Sequence, residues 1–258
     1  MKKFVGIFIL CTFIGSIFWA CNHSQYDSTY GSNFQNGKQF YPMQVGATQL
    51  YRLDSTAPTA FGVSLAVNSY LLKDSVSRRL LNALGDTTFE VYRFITDTLQ
   101  AKPWRMLTTY RVVYTSNTVD VIQDDSTLRF IKLASPVING LNWNGNRYFV
   151  PYNGNGSVND TYYAYEDWNY IYDSVGMPFT TAYDATYPNT ITVNEVNSSL
   201  YTGDFDPTRL QIVKYSEEVY ALNVGLVYQN MLFYIYQPSG STKGYDSRSF
   251  GIKITRLQ

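Results

Sequence analysis

Cys21 is the residue whose chemistry the sequence states most plainly. It directly follows a basic start, Met1-Lys2-Lys3, and an apolar run of 16 residues from Phe4 to Trp19. Such a segment has the form of a secretory leader and is short of the ~20 apolar residues of a spanning helix. Cys11 lies inside the leader, so its removal leaves Cys21 as the one cysteine of the chain. This is the layout of a bacterial lipoprotein signal, in which the cysteine becomes the N-terminus and carries acyl chains. Ala20 meets the need for a small residue before the cysteine, whereas Phe18 and Trp19 are bulkier than that site prefers. Phe18-Trp19-Ala20 serves an Ala-x-Ala cleavage even less well, which favours lipidation over plain secretion. Left uncleaved, the same segment would be a membrane anchor. Acyl chains contribute ~0.8 kcal/mol per buried CH₂, so two or more hold firmly. Asn22 stands where an aspartate would retain a lipoprotein at the inner membrane, so the outer membrane is the expected address.

Other chemistry is excluded by what the rest of the chain lacks. The lone histidine, His23, sits beside the anchor, leaving the body without histidine or cysteine. Ser-His-Asp and Cys-His catalysis and His- or Cys-ligated zinc are therefore ruled out, and no metal or cofactor is expected. Without Lys2 and Lys3 there are 18 basic and 20 acidic residues, a balance that excludes nucleic acid as a partner. Carboxylates remain, as Asp124-Asp125, Glu166-Asp167, Asp204-x-Asp206 and Glu217-Glu218. A pair of them at the right separation would cleave a glycosidic bond. Adjacent strand residues point to opposite faces, so Glu217 and Glu218 do not converge, and Asp204 and Asp206 beside Pro207 read as turn formers. The loop Asn153 to Asp160 has the look of a calcium loop, but its twelfth position is Ala164 rather than glutamate.

Aromatic side chains are the remaining binding resource. All 24 tyrosines follow the leader, with Trp104, Trp143 and Trp168. Tyrosine combines a flat apolar face with a polar tip, suited to a glycan, a lipid or an envelope protein. It also forms strands well, so a core role competes with a binding role. The densest segment is Tyr162 to Tyr172. Read as a strand, it puts Trp168, Tyr170 and Tyr172 on one face and Tyr163, Tyr165 and Ile171 on the other. Tyr163, Tyr165 and Trp168 are the candidate ligand contacts.

The elements that must position these groups are strands. Asn22 to Lys38 has no aliphatic side chain and reads as a tether, dividing the chain into leader 1–20, tether 21–38 and one β-rich domain 39–258. Trp104 to Thr115 alternates, with Trp104, Met106, Tyr110, Val112 and Tyr114 on one parity. Val119 to Gln123 and Leu128 to Ala134 flank Asp124-Asp125-Ser126 as a hairpin. Strands are also expected at Phe89 to Thr98, Ile191 to Val196, Leu210 to Tyr215, Glu218 to Leu222, Leu226 to Tyr236 and Phe250 to Leu257. Leu71 to Leu84 has partly helical spacing, and Gly85-Asp86 argues for strand and turn. Many short strands without helical crossovers predict an all-β antiparallel barrel or sandwich.

Three patches resemble a group of uncharacterised envelope lipoproteins of Gram-negative bacteria. They are Phe40-Tyr41-Pro42-Met43-Gln44-Val45-Gly46 ahead of Tyr51-Arg52-Leu53-Asp54, Leu128 to Leu133 continuing to Pro136-Val137 and Trp143-Asn144-Gly145-Asn146, and Glu218-Val219-Tyr220-Ala221 with Val224 to Val227. Gln49 stands where that group usually carries tryptophan. The resemblance implies export, a lipid (palmitate-bearing) anchor and one β domain, and it brings no catalytic residues. Three classes of function stay open: a non-enzymatic binding or accessory module, a structural part of an outer-membrane complex, and a carboxylate-dependent polysaccharide hydrolase. The sequence does not choose between the periplasmic and the outer face.

Overall fold

Alternation of inward and outward side chains sets the architecture. The computed structural model describes residues 35–125, 128–149, 163–165, 168–199, 205–240 and 243–257. Among them there is no α-helix, only short 3₁₀ turns at Gly37–Phe40, Ala60–Gly62 and Tyr163–Tyr165. The strands are β1 (Thr48–Pro58), β2 (Leu65–Leu81), β3 (Thr87–Asp97), β4 (Arg105–Tyr114), β5 (Thr118–Gln123), β6 (Arg129–Ala134), β7 (Asn142–Trp143), β8 (Tyr170–Thr180), β9 (Thr186–Ser199), β10 (Gln211–Ala221), β11 (Gly225–Gln237), β12 (Gly244–Tyr245) and β13 (Phe250–Arg256). All ladders are antiparallel, in the order β6-β5-β4-β3-β2-β1-β13-β11-β10-β9-β8-β7, with β12 on β11. The all-β expectation holds, in its barrel-like form.

The two ends of this path meet without a ladder. Ile131 N donates to Gly145 O at 2.8 Å, and Trp143 Nε1 donates to Ile131 O at 2.8 Å. The Tyr172 hydroxyl takes the Ala134 N–H at 3.0 Å and donates to Ala134 O at 2.6 Å. Two aromatic side chains thus do at this seam what a backbone partner does elsewhere. Gly145 is required there, because a Cβ at its position would collide with the Tyr170 ring.

Several sequence expectations change. Leu71 to Leu84 is the end of β2 and the turn after it, as its Gly-Asp punctuation implies. Leu210 to Tyr215 and Glu218 to Leu222 are not two strands but one, β10. Residues 35–38, grouped by composition with the tether, dock on the barrel. Gly37 N donates to Ser135 Oγ at 3.0 Å, and Val137 N donates to Gln35 O at 3.0 Å. Phe40, fully buried, and Tyr41 and Met43 follow them into the core at that end. Most of the expected aromatic strand is also irregular. Tyr163–Tyr165 is a 3₁₀ turn and β8 starts only at Tyr170, so strand parity does not govern Tyr163–Tyr165 or Trp168.

Candidate functional site

Two local irregularities bring charge inside the barrel. Opposite β10, Ser216 pairs with Val196 and Glu217 with Asn194, so Glu195 is the extra residue of a bulge in β9. Opposite β5, Val119 pairs with Leu133 and Asp120 with Ile131, which leaves Lys132 as the extra residue in β6. Each bulge sets two consecutive side chains towards the interior, Glu195 beside the buried Val196 and Lys132 beside the buried Leu133. Lys132 Nζ lies 2.7 Å from Glu195 Oε1 and 2.7 Å from Glu218 Oε1. The second oxygens are also held: Ser216 Oγ donates to Glu195 Oε2 at 2.6 Å, and the Tyr220 hydroxyl donates to Glu218 Oε2. Glu195 is 1% and Glu218 2% exposed, so this is an interior cluster rather than a surface bridge.

Burial, then the adjacent Glu218 charge, pushes the Glu195 carboxyl up to about 7, against the pull of Lys132 and Ser216. Burial would lower the Lys132 ammonium, but the Glu195 and Glu218 charges outweigh it and hold the group above the ordinary lysine range. A second charged pair sits on the β2–β3 wall. Arg93 Nε and Nη2 each bond Asp74 at 2.7 Å, and Tyr110 Oη donates to Asp74 Oδ2 at 2.9 Å. Burial and the Asp74 charge raise the Tyr110 hydroxyl well above its usual value, so it is a donor, not an anion.

Between the clusters lies a cavity of about 210 Å³. Arg93, Lys132, Glu195, Glu218, Tyr41 and Tyr220 contribute to its wall, as do Tyr165, Trp168, Gln229, Leu226, Met231, Ile252 and Ile254. Asp125 is the one lining residue that is exposed, and Thr108 beside it donates to its carboxylate. A run of rings, Phe149, Phe130, Tyr165, Trp168, Tyr170, Trp143 and Tyr172, lines the seam at successive centroid distances of 4.7–6.0 Å.

No family model matches this chain, and no curated protein matches it. A solved structure is similar in part. It is a protein from Bacteroides fragilis NCTC 9343, provisionally described as exported, with a YmcC-like fold. The match covers 85% of this chain and 99% of that one, at 12% identity and a TM-score of 0.41. At that score neither fold family nor function transfers.

Of the residues singled out in the sequence, Tyr165 and Trp168 both line the cavity and pack on each other at 5.4 Å. Parity had put them on opposite faces; the turn ahead of β8 brings them to the same side. Tyr163 belongs to that turn, and its side chain lies outside the described residues, as do Cys21, Glu166-Asp167, Asp204 and the Asn153 to Asp160 loop. Asp206 forms a turn, accepting from Thr208 N at 2.9 Å. Glu217 and Glu218 do face apart, but Glu218 meets Glu195, a residue that sequence reasoning had passed over. Lys132, Asp74 and Arg93 were also missed. The available signal was parity: Glu195 shares it with Ile191 and Val193, and Lys132 shares it with Phe130.

Proposed function

We propose that the protein is a lipid-anchored component of the outer membrane, attached through Cys21, that holds a small ligand inside its barrel without transforming it. The observation that carries the binding part is the cavity, where charged, hydroxyl and aromatic side chains converge on a space left unfilled. The anchor rests on the leader and on the resemblance to envelope lipoproteins. A hydrolase would need one carboxylate free to protonate the leaving oxygen and another free to attack or activate water. Here Lys132 occupies the gap between Glu195 and Glu218, and Ser216 and Tyr220 hold their outer oxygens. That arrangement favours a binding wall over acid–base chemistry.

The test is native mass spectrometry of the full chain purified from its own membranes in mild detergent. A bound small molecule is expected in the wild type and absent from Thr108→Trp, which projects an indole into the cavity beside Arg93. A wild type that carries no small molecule, or a blocked variant that retains it, overturns the binding reading.

A structural role in an envelope complex is favoured by one feature, the tip between β1 and β2. Phe61 is 95% exposed at a φ of 61°, a conformation costly for a bulky residue, and Val63 beside it is 77% exposed. Crosslinking in intact cells should capture a partner that Phe61→Ser loses; identical captures would dismiss this role.

A further inference from the structure

The geometry points to a single neutral sugar ring as the occupant of the barrel, its flat face on apolar and aromatic side chains and its hydroxyls on the polar wall. This assignment rests on the barrel interior being the ligand site.

Size gives the first restriction. Sites for drug-sized ligands run from ~300 to 1,000 Å³, and a cavity of about 210 Å³ takes something smaller, of one ring. The cavity is also two-sided. β11 and β13 supply Leu226, Met231, Ile252 and Ile254 with the single amide of Gln229, while β3, β6, β9 and β10 supply most of the polar groups. A pyranose has that division, with C–H groups on its faces and hydroxyls around its edge. The Tyr165 and Trp168 rings add flat surface for the C–H face.

Charge gives the second restriction. Arg93 is matched by Asp74, and Lys132 by Glu195 and Glu218, so the buried cations already have partners. One carboxylate is in excess, and a proton on Glu195, held up to about 7 by burial and by Glu218, cancels it near neutral pH. The groups facing Glu195 are Lys132 from β6, Ser216, Glu218 and Tyr220 from β10, and Tyr170 from β8; none of them supplies a further net charge. An ionic ligand would lose its hydration without gaining an unclaimed buried counter-charge, since the one further carboxylate of the lining, Asp125, is exposed to water. Neutral hydrogen-bonding groups, by contrast, are open. The Tyr41 and Tyr165 hydroxyls and the Gln229 amide line the cavity and have no hydrogen-bond partner among the described residues. Arg93 keeps Nη1 unengaged while its other nitrogens hold Asp74.

The experiment compares rings of one shape and three charges. Methyl glycosides of glucose, galactose and mannose, their uronic acids and their 2-amino analogues are titrated into the full-length chain in detergent. Binding is read by saturation-transfer NMR and calorimetry. At least one neutral hexoside should bind roughly tenfold or more tighter than its charged counterparts, and Gln229→Leu should weaken it by roughly tenfold, the step expected for a lost buried hydrogen bond. Tightest binding by a uronate or an amino sugar overturns the neutral-ring assignment and leaves the barrel as the binding site. Binding by none of the panel overturns the sugar class. The mass-spectrometric comparison with Thr108→Trp then decides separately whether the barrel holds any ligand.

Discussion

Replacing Lys132 with methionine removes the one cation between two buried carboxylates and keeps most of the side-chain volume. Both ion pairs, at 2.7 Å, are lost at once, and Glu195 and Glu218 then face each other across a space that admits little water. Breaking one partner of a buried charge cluster costs about 3–5 kcal/mol, since the charge left behind has no compensation. For a domain of this size that is a fall in Tm of about 6–20 °C. The deficit should depend on pH in a definite direction. Glu195 already binds its proton more tightly in the folded state than a glutamate's ordinary value of 4.5 implies. Without Lys132, the Glu195 carboxyl moves further up. Groups raised on folding cost stability above their unfolded pKa, and the cost is relieved as pH falls and the folded protein takes up protons. Thermal and urea unfolding of wild type and Lys132→Met at pH 5, 7 and 8.5 should therefore show the gap narrowing towards pH 5. The double variant Lys132→Met, Glu195→Gln should recover part of the loss at pH 7. A deficit below about 1 kcal/mol, the range of a surface pair, or one that is the same at all three pH values would refute the buried cluster.

Three further outcomes follow from the same geometry. Wild-type stability should decline between pH 4.5 and about 7 through Glu195, and Glu195→Gln should flatten that part of the unfolding profile. Gly145→Ala should destabilise by about 1–3 kcal/mol in urea melts, because the new methyl must displace the Tyr170 ring. Alkyne-tagged palmitate fed to cells should label the wild type and not Cys21→Ala, with equal labelling counting against lipidation.

The class of fold was readable because the barrel is built from rules with short range. Alternation in β4 puts Tyr110 and Val112 inside, and the Asp124-Asp125 turn joins β5 to β6. The charged interior was not readable in the same way. Glu195 and Lys132 come from strands 63 residues apart, and each enters through a bulge, a two-against-one pairing that has no signature in one strand's own sequence. Parity alone would have marked both as inward, but a lysine or glutamate on an inward position invites the opposite conclusion, that the register is off by one. Only the partner's location decides, and that is a long-range fact. The aromatic segment failed for a complementary reason. Its composition suits a strand, yet Trp168 satisfies its indole N–H on Ala164 O, four residues back at 2.8 Å, and this local contact holds Tyr163–Tyr165 and Trp168 in a turn.

The seam between β6 and β7 bears on whether the sheet can pair with another chain. A strand at the end of a sheet offers unpaired N–H and C=O groups to any other chain that can align with them. Along β6 those groups are not bare: Ile131 is taken by Gly145 and Trp143, and Ala134 by the Tyr172 hydroxyl. The indole and the phenol act as removable caps on a growth point. Tyr172→Phe uncovers Ala134 alone and leaves the ring packing intact, so its consequence should be intermolecular, a concentration-dependent dimer in sedimentation at nearly unchanged melting temperature. A strictly monomeric Tyr172→Phe would mean that this edge never needed guarding.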